Sequence, residues 1–213
     1  MRKSLIALAT LAAFAQFASA QDTGSWIVRG RAVSLNSAND NSADLKATLT
    51  SIVEAPSEAS INNKWLPEVD ITYFFSPNFA AELILTVPQT QTLSVKGVGA
   101  IGTFKHLPPT LTAQYHFTGM SGFRPYVGAG LNYTNISDVK WGATGTALGL
   151  NLKRNSYGLA AQAGLDVPVG GGWLVNLDAK YVQIGTDVTS NGTKIGTFKV
   201  DPWLLSLGVG KRF

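Results

Sequence analysis

The sequence predicts an all-β protein, an eight-stranded antiparallel transmembrane β-barrel with short periplasmic turns and long extracellular loops. Three observations predict this fold: eight segments alternate between apolar and polar residues, the charged side chains in those segments share one face, and short connections alternate with long ones. Alternation with period two indicates strands whose two faces meet different environments. Bacterial outer-membrane barrels combine that alternation with an even number of strands.

The first four strands are predicted at residues 25–34, 66–75, 79–88 and 109–117. In the first of them, Trp26 and Val28 face away from Arg29 and Arg31, and the other three alternate in the same way. The apolar rows of the four strands are Trp26, Val28, Gly30 and Ala32; Val69, Ile71, Tyr73 and Phe75; Phe79, Ala81, Leu83, Leu85 and Val87; and Leu111, Ala113, Tyr115 and Phe117.

The last four strands are predicted at residues 124–135, 156–167, 173–184 and 201–213. In the final strand, Leu205 and Leu207 alternate with Ser206 and Gly208. The apolar rows are Val127, Ala129, Leu131 and Tyr133; Tyr157, Leu159, Ala161, Ala163, Leu165 and Val167; Trp173, Val175, Leu177, Ala179 and Tyr181; and Trp203, Leu205, Leu207, Val209 and Phe213.

The polarity of these strands predicts that the apolar rows face lipid. Apart from Asp201 and Lys211 near strand ends, the charged residues of the strands lie on the opposite face. A basic side chain on the lipid face at mid-membrane costs about 2–4 kcal/mol, which explains the segregation. A soluble sandwich or a lipocalin-like barrel would instead carry its charges outside and its apolar rows inside.

The connections and the aromatic residues give the barrel an orientation. Residues 76–78, 118–122 and 168–172 form short turns, whereas residues 35–65, 89–108, 136–155 and 185–200 form long connections, which we assign to the cell exterior. Aromatic residues collect near both ends of the strands, as expected of interfacial belts. Within the long connections, 190–193 reads as a hairpin turn. Residues 92–104 form a second candidate extension, and the spacing of Leu45, Leu49, Ile52 and Val53 suggests a short helix or a strand extension.

The first 20 residues are predicted to be a cleavable signal peptide, followed by one barrel domain at 21–213. Arg2 and Lys3 precede an apolar run that is too short to span a membrane, and Ala18 to Ala20 form a small-residue cleavage site. Without Arg2 and Lys3, 15 Lys and Arg stand against 13 Asp and Glu, so nothing indicates a nucleic-acid partner. The chain has no cysteine, which excludes disulfides and thiolate metal sites.

Several stretches resemble the OmpW family of small outer-membrane barrels. They are His106 to Leu111, Phe123 to Gly130, Trp173 to Asn176, Asp201 to Trp203 and Gly210 to Phe213, and they occur in the family's order. The resemblance implies a bacterial outer-membrane location and a narrow, largely hydrophobic channel. It further implies passage of small hydrophobic molecules with lateral release into the membrane, and recognition of the terminal Phe213 by the barrel-assembly machinery.

The resemblance, together with the alternation that turns every second side chain of a strand into the lumen, indicates which residues line the channel. Ile84 projects inward and matches a position where the family carries an apolar lining residue, and Val33 and Val182 are expected in the upper lumen. Lys180 departs from this pattern, because an apolar or aromatic residue would better close an apolar channel. The position and polarity of the constriction therefore stay open at this point.

The inward charges allow two interpretations, an ion-selective pore or a paired plug. An eight-stranded barrel is barely wide enough for its own side chains, and buried charges need partners, so we predict a plug that closes the periplasmic half and leaves the outer half as a ligand pocket. The residues concerned are Arg29, Arg31, Glu68, Asp70, Glu82, Asp166, Asp178, Lys180 and Arg212.

The sequence gives no support for catalysis, a metal or a cofactor. His106 and His116 are the only histidines, and neither accompanies a serine elbow or a cluster with metal-ligand spacing. We therefore predict a protein that is not an enzyme, whose partners are outer-membrane lipids and a small hydrophobic ligand. A structural or surface-receptor barrel with a plugged lumen is the alternative, and a lipid-modifying enzyme is a weaker one.

Overall fold

The structure of the chain is a computed structural model that describes residues 24–120 and 122–213. The predicted signal peptide lies outside these residues. With strands and helices numbered along the chain, eight strands of the described part form a barrel: β1 (Trp26–Asn36), β4 (Lys64–Phe74), β5 (Phe79–Thr86), β8 (Thr110–His116), β9 (Arg124–Trp141), β11 (Asn155–Gly170), β12 (Trp173–Val182) and β15 (Trp203–Arg212).

These eight strands close on one another, which confirms the predicted fold class. Each pairs antiparallel with its neighbours along the chain, and β1 closes the barrel against β15 from Ile27↔Arg212 to Asn36↔Trp203. Closure pairs every strand on both sides, so the spanning region has no free sheet edge. Neither helix in the described residues is long and apolar enough to cross a bilayer.

The observed strands extend beyond some predicted bounds. The fifth barrel strand, predicted at 124–135, continues to Trp141 because its upper part pairs with a neighbouring hairpin beyond the spanning region. The sixth, predicted at 156–167, runs to Gly170 through an irregularity between Pro168 and Gly170. The predicted turn at 168–172 is therefore shorter, since its first residues still belong to the strand.

The burial of the side chains follows the inverted polarity. Leu205, Leu207 and Val209 on the last strand are 53, 55 and 57% exposed, whereas Arg29 and Glu82 are fully buried. The barrel thus encloses its charges and presents aliphatic rows outward, as the sequence predicts. Large aromatic residues are exposed near both ends of the strands, including Phe75 and Trp173 at the short-turn end.

The long connections fold into an outer cap, which we define as residues 40–61, 89–107, 136–155 and 183–200. The cap contains two helices, α1 (Ala43–Val53) and α2 (Ala143–Ala147), and the strands β2 (Asp40–Asn41), β3 (Ala59–Ile61), β6 (Gln89–Val95), β7 (Gly99–Leu107), β10 (Leu150–Leu152), β13 (Gly185–Ser190) and β14 (Thr193–Lys199).

Both predicted hairpin extensions are present in the cap. Strands β6 and β7 pair as one hairpin, and β13 and β14 pair as another around Asn191 and Gly192, which have the positive φ values that such a turn needs. The predicted helical spacing corresponds to α1, which buries Leu45 and Leu49, whereas Ile52 is 46% exposed and faces away from the cap interior.

The cap has an apolar core that continues into the outer end of the barrel. Leu45 and Leu49 of α1, Leu93 and Val95 of β6 and Phe198 of β14 pack in one cluster with Ala160 and Val182 of the barrel wall. Because this cluster joins the cap to the barrel, the outer mouth is closed by packed side chains.

Candidate functional site

The lower part of the lumen contains a network of ion pairs, which we call the charge plug: Arg29, Arg31, Glu68, Asp70, Glu82, Asp166, Asp178 and Lys180. The strand register explains how it forms. Arg29 lies opposite Asp70, and Arg31 lies opposite Glu68, on the adjacent strands β1 and β4. Opposite charges at directly facing positions attract, so neighbouring strands supply the first partners.

Arg29 is fully buried and pairs with three carboxylates, Asp166, Asp70 and, at 3.5 Å, Glu82. Its Nε and Nη2 donate to both oxygens of Asp166 at 3.1 and 2.6 Å, and its Nη1 donates to Asp70 Oδ1 at 2.9 Å. Nη1 also donates to Thr72 Oγ1 at 2.7 Å. Arg29 therefore crosslinks strands β1, β4 and β11 across the lumen through a bidentate pair and a single pair.

Arg31 forms the next layer towards the outer end. Its Nη1 lies 3.1 Å from Glu68 Oε1, its Nη2 lies 3.0 Å from Glu82 Oε1, and its Nε lies 3.2 Å from Asp70 Oδ2. Nε also donates to Asn176 Oδ1 at 2.8 Å. Asp178 Oδ1 lies 4.0 Å from Nη1, so four carboxylates surround the buried guanidinium of Arg31.

Lys180 bounds the charge plug on its outer side. Its Nζ lies 2.7 Å from Glu68 Oε1 and 2.9 Å from Asp178 Oδ1, and the residue is almost completely buried. The lysine that departs from an apolar channel pattern is therefore a member of the ion network. Its aliphatic stem also borders the cavity above.

Arg212, the remaining predicted plug residue, lies below the network at the inner end. Its guanidinium carbon is 4.7 Å from the centre of the Phe74 ring, and it borders a cavity of about 200 Å³ with Ile27 and Asp166. Arg212 is half-buried, in contrast to the buried arginines of the charge plug.

Neutral side chains that sequence reasoning did not single out complete the network. The Tyr126 hydroxyl donates to Asp178 Oδ2 at 2.9 Å, and Asn176 Nδ2 donates to Asp166 Oδ1 at 2.8 Å. Gln162 Nε2 donates to Glu82 Oε2 at 2.8 Å. The alternation of residues along each strand predicts that these side chains point into the lumen. Which hydrogen-bond partners they find depends on how the strands close into the barrel. Gly164 leaves room for Tyr126, since a Cβ at Gly164 would lie 2.2 Å from the ring.

Above the charge plug lies a small cavity, which we call the outer chamber. Its accessible volume is about 30 Å³, the space of a single water molecule, whereas an apolar cavity that binds benzene measures about 150 Å³. Its charged floor includes Glu68 and Lys180, and the apolar lining consists of Leu35, Leu66, Ile84, Val182, Ile184 and Leu204, with Pro108 and Pro202 at its edge. The expected ligand pocket in the outer half is thus almost filled by side chains in this structure.

Of the four residues predicted to line the channel, the structure places Lys180 and two of the three apolar ones on the outer chamber. Ile84 and Val182 border it and are 4% and 2% exposed. Val33 is fully buried and packs with Leu35 and Leu66, which line the chamber, but does not border the chamber itself. All three residues point inward, and only the packing of neighbouring side chains decides which of them reaches the cavity.

His106 lies on β7, where the outer cap meets the chamber. It is 2% exposed, and its Nε2 lies 3.2 Å from Gln91 Nε2. Burial, together with the nearby charge of Lys64, lowers the pKa of His106 to about 4. The imidazole is therefore neutral at pH 7, and its protonation would place a charge inside the seam between the cap and the barrel.

Neither histidine is arranged for catalysis in the described residues. His116 Nε2 lies 2.9 Å from Gln114 Oε1, and its ring stacks on Tyr126 with 4.9 Å between centroids. Glutamine is thus the hydrogen-bond partner of both imidazoles, and neither is paired with a serine. Within 24–120 and 122–213, no group of three or more His, Asp or Glu is placed to hold a metal ion.

A second cavity, which we call the lateral cleft, opens on the side of the barrel between β11 and β13. Its volume is about 460 Å³, and it is lined mainly by polar residues, among them Lys153, Ser156, Asp187, Lys199 and Asp201. A hydrogen bond from Lys194 lowers the pKa of Asp187. The sequence did not indicate this cleft, because it forms where two strands that are adjacent in the barrel separate above the spanning region.

Comparisons with known proteins agree with this architecture. A sequence profile of the OmpW family matches residues 22–213. Outer membrane protein W of Vibrio cholerae is 34% identical over 225 residues, which cover 100% of both chains. The uncharacterized outer-membrane protein y4mB of Sinorhizobium fredii is 40% identical over 162 residues, covering 74% of this chain and 69% of the relative.

One solved structure and one further relative add to the comparison. The crystal structure of the outer membrane protein OprG from Pseudomonas aeruginosa superposes with a TM-score of 0.72 at 28% identity, covering 90% of this chain and 96% of OprG. A Pseudomonas aeruginosa protein named dibenzothiophene metabolism operon protein PahQ is 27% identical over 190 residues, covering 84% of each chain.

Proposed function

Because the chain belongs to the OmpW family and is an outer-membrane barrel that sits in membrane lipids, we propose that it passes small hydrophobic molecules from the cell exterior into the outer membrane. The observation that carries the proposal is the apolar outer chamber, which lies between the charge plug and the outer cap. The role is transport and not catalysis. The predicted recognition of Phe213 by the barrel-assembly machinery stays a prediction.

The charge plug favours a lateral exit over passage straight through the barrel. A hydrophobic molecule that moved down the lumen would have to separate Lys180 from Glu68 and Arg31 from Glu82, which are paired at 2.7 and 3.0 Å. Breaking buried ion pairs is strongly unfavourable, and an apolar molecule offers no replacement partner. The route of lower free energy therefore leaves the lumen above the plug.

A break in the barrel wall lies beside the chamber and supports this route. Pairing between β5 and β8 ends at Ile84↔Thr110, because Pro108 and Pro109 follow on the β8 side and have no amide hydrogen to continue the ladder. Leu85, the next residue of β5, faces outward and is 37% exposed. We propose that ligands cross here from the chamber to the acyl chains.

The proposal requires the outer cap to open, since the chamber has space for only one water molecule. The β6–β7 hairpin of the cap pairs with the extension of β9, whereas α1 and the separate sheet of β10, β13, β14 and β2 share no ladder with the eight barrel strands. These parts can therefore separate from the barrel without breaking its ladders. The name of the relative PahQ refers to the metabolism of dibenzothiophene, an apolar aromatic compound, which fits the chemistry of the chamber.

A structural or surface-receptor barrel is the second candidate function. The nearly filled lumen favours it, because a protein that only displays its outer cap needs no internal space. The two functions differ in one measurable respect, namely whether an apolar molecule passes the outer membrane faster when the protein is present.

Uptake of radiolabelled naphthalene by Gram-negative cells that lack other members of the family tests the proposal. We expect expression of the protein to raise the uptake rate, Ile84→Trp to return it to the rate of cells without the protein, and Ile84→Leu to leave it nearly unchanged. Heat-modifiable migration on gels checks that each variant is folded. If folded wild-type protein gives no increase, or Ile84→Trp transports like wild type, the proposal is wrong and the receptor function is favoured.

A further inference from the structure

We propose that the lateral cleft and the outer chamber together form one binding site for amphipathic molecules, with the polar head in the cleft and the apolar tail in the chamber. The inference rests on the proposed function and adds a ligand class and a point of access to it. It is carried by Ile184, the residue that borders both cavities.

The barrel wall is open at the position of the cleft. The last paired residues of β11 and β12 at the outer end are Ala160 and Val182, whereas β11 continues along β9 up to Asn155↔Asn135. The chain after Val182 turns away into β13, which pairs with β14 and, above the cleft, with β10. A gap therefore separates β11 from β13, and the lateral cleft occupies it.

Hydrogen bonds border this gap at both ends, and those at its upper end join the Lys153 amide to the Asp187 carbonyl at 3.0 Å and Thr186 Oγ1 to the Lys153 carbonyl at 2.9 Å. The Gln183 amide donates to the Leu159 carbonyl at 2.9 Å, and the Leu159 amide donates to Gln183 Oε1 at 3.3 Å. The Gly185 amide donates to Ser156 Oγ at 3.0 Å. Ile184 lies between these bridges, is 3% exposed, and separates the cleft from the chamber by the thickness of one side chain.

The two cavities differ in chemistry, and this difference defines the ligand. The cleft is bordered by two cationic residues, Lys153 and Lys199, and two anionic residues, Asp187 and Asp201, and Asp187 also pairs with Lys194 at 2.7 Å. This balance suits a zwitterionic or uncharged polar head better than a single strong charge. The chamber beyond Ile184 is lined by aliphatic side chains, which suit an alkyl tail.

The location of the cleft fits the way in which an amphipathic molecule lies in a membrane. Tyr157, which borders the cleft, is 79% exposed and packs beside Tyr133 with 5.2 Å between ring centroids. These tyrosines belong to the outer aromatic belt, and such belts lie at the level of lipid head groups. The cleft therefore opens where polar heads collect, while the chamber lies within reach of a tail.

The absence of cysteine from the chain allows a site-specific test. Lys199→Cys places a thiol at the exposed rim of the cleft, and Lys96→Cys places one at the exposed tip of the β6–β7 hairpin as a matched control. Both variants remove one lysine, and both are labelled on intact cells with a bulky, membrane-impermeant maleimide after assembly. The probes are radiolabelled dodecyl betaine, which has a zwitterionic head and an alkyl tail, and naphthalene.

We expect the label at position 199 to reduce betaine uptake to the level of cells without the protein, while the label at position 96 leaves it unchanged. If both labelled variants take up betaine like unlabelled protein while naphthalene uptake persists, the cleft is not the access point, and the proposed function stands. If the protein increases uptake of neither probe, the proposed function itself fails, and this inference fails with it.

Discussion

Replacing Arg29 with methionine tests whether the charge plug holds the barrel together. The substitution removes five hydrogen bonds, two to Asp166 and one each to Asp70, Thr72 and Glu82, the last at 3.5 Å. Asp70 keeps Arg31 Nε at 3.2 Å, whereas Asp166 loses its bidentate partner and keeps the amide of Asn176 at 2.8 Å, with Arg124 opposite it on β9. Methionine fills much of the volume, so the main effect is the loss of a buried positive charge that neutralises several buried carboxylates.

The expected loss for Arg29→Met is about 3–5 kcal/mol in the free energy of unfolding, the usual range when one partner of a buried ion pair is removed. With an m-value of about 2–3 kcal/mol per M urea, the unfolding midpoint falls by about 1–2.5 M. The assay is urea unfolding of the protein in lipid vesicles, followed by tryptophan fluorescence and by heat-modifiable migration on gels.

Two further variants separate the electrostatic effect from a general loss of packing. In Arg29→Met/Asp166→Leu both charges are replaced by apolar groups, so most of the lost stability is expected to return. Lys46→Met removes an exposed lysine paired with Glu58 at 2.8 Å, and such solvent-exposed pairs contribute little to stability. The reasoning is refuted if Arg29→Met destabilises no more than Lys46→Met, or if the double variant is as unstable as Arg29→Met.

Two further predictions concern the cap and the barrel wall. Because the pKa of His106 is about 4 in the closed cap and about 6.5 when exposed, the closed state is favoured above pH 6.5 and loses roughly 3 kcal/mol as the pH falls to 4. Hydrogen exchange of the cap amides, corrected for intrinsic rates, is expected to show this opening, and an equal pH response in His106→Gln would contradict the assignment. Gly164→Ala is expected to destabilise the barrel by about 1–3 kcal/mol, since its Cβ would lie 2.2 Å from the Tyr126 ring. Gly30→Ala, whose Cβ would meet nothing within 4 Å, should stay within about 0.5 kcal/mol of wild type in the same urea assay, and equal effects of the two substitutions would argue against the steric explanation.

The positions of charged and apolar residues show what the alternation along a single strand can predict. The alternation of Arg29 and Arg31 with Trp26 and Val28 predicts that both arginines point into the lumen. Both are buried in the structure. That assignment requires only the period of a strand and the high free energy of a charge in lipid. The same two facts predict the barrel, its strand number and the direction of each side chain.

The sequence by itself therefore determined the fold class and the content of the lumen, because alternation is a property of neighbouring residues. Only the tertiary structure shows which charges pair and that Lys180 binds Glu68. It also shows that Ile84 borders the outer chamber and that Val33 does not. It also decided the volume of the chamber and the presence of the lateral cleft. These features depend on the stagger of closed strands and on the packing of loops far apart in the chain, which no local pattern encodes.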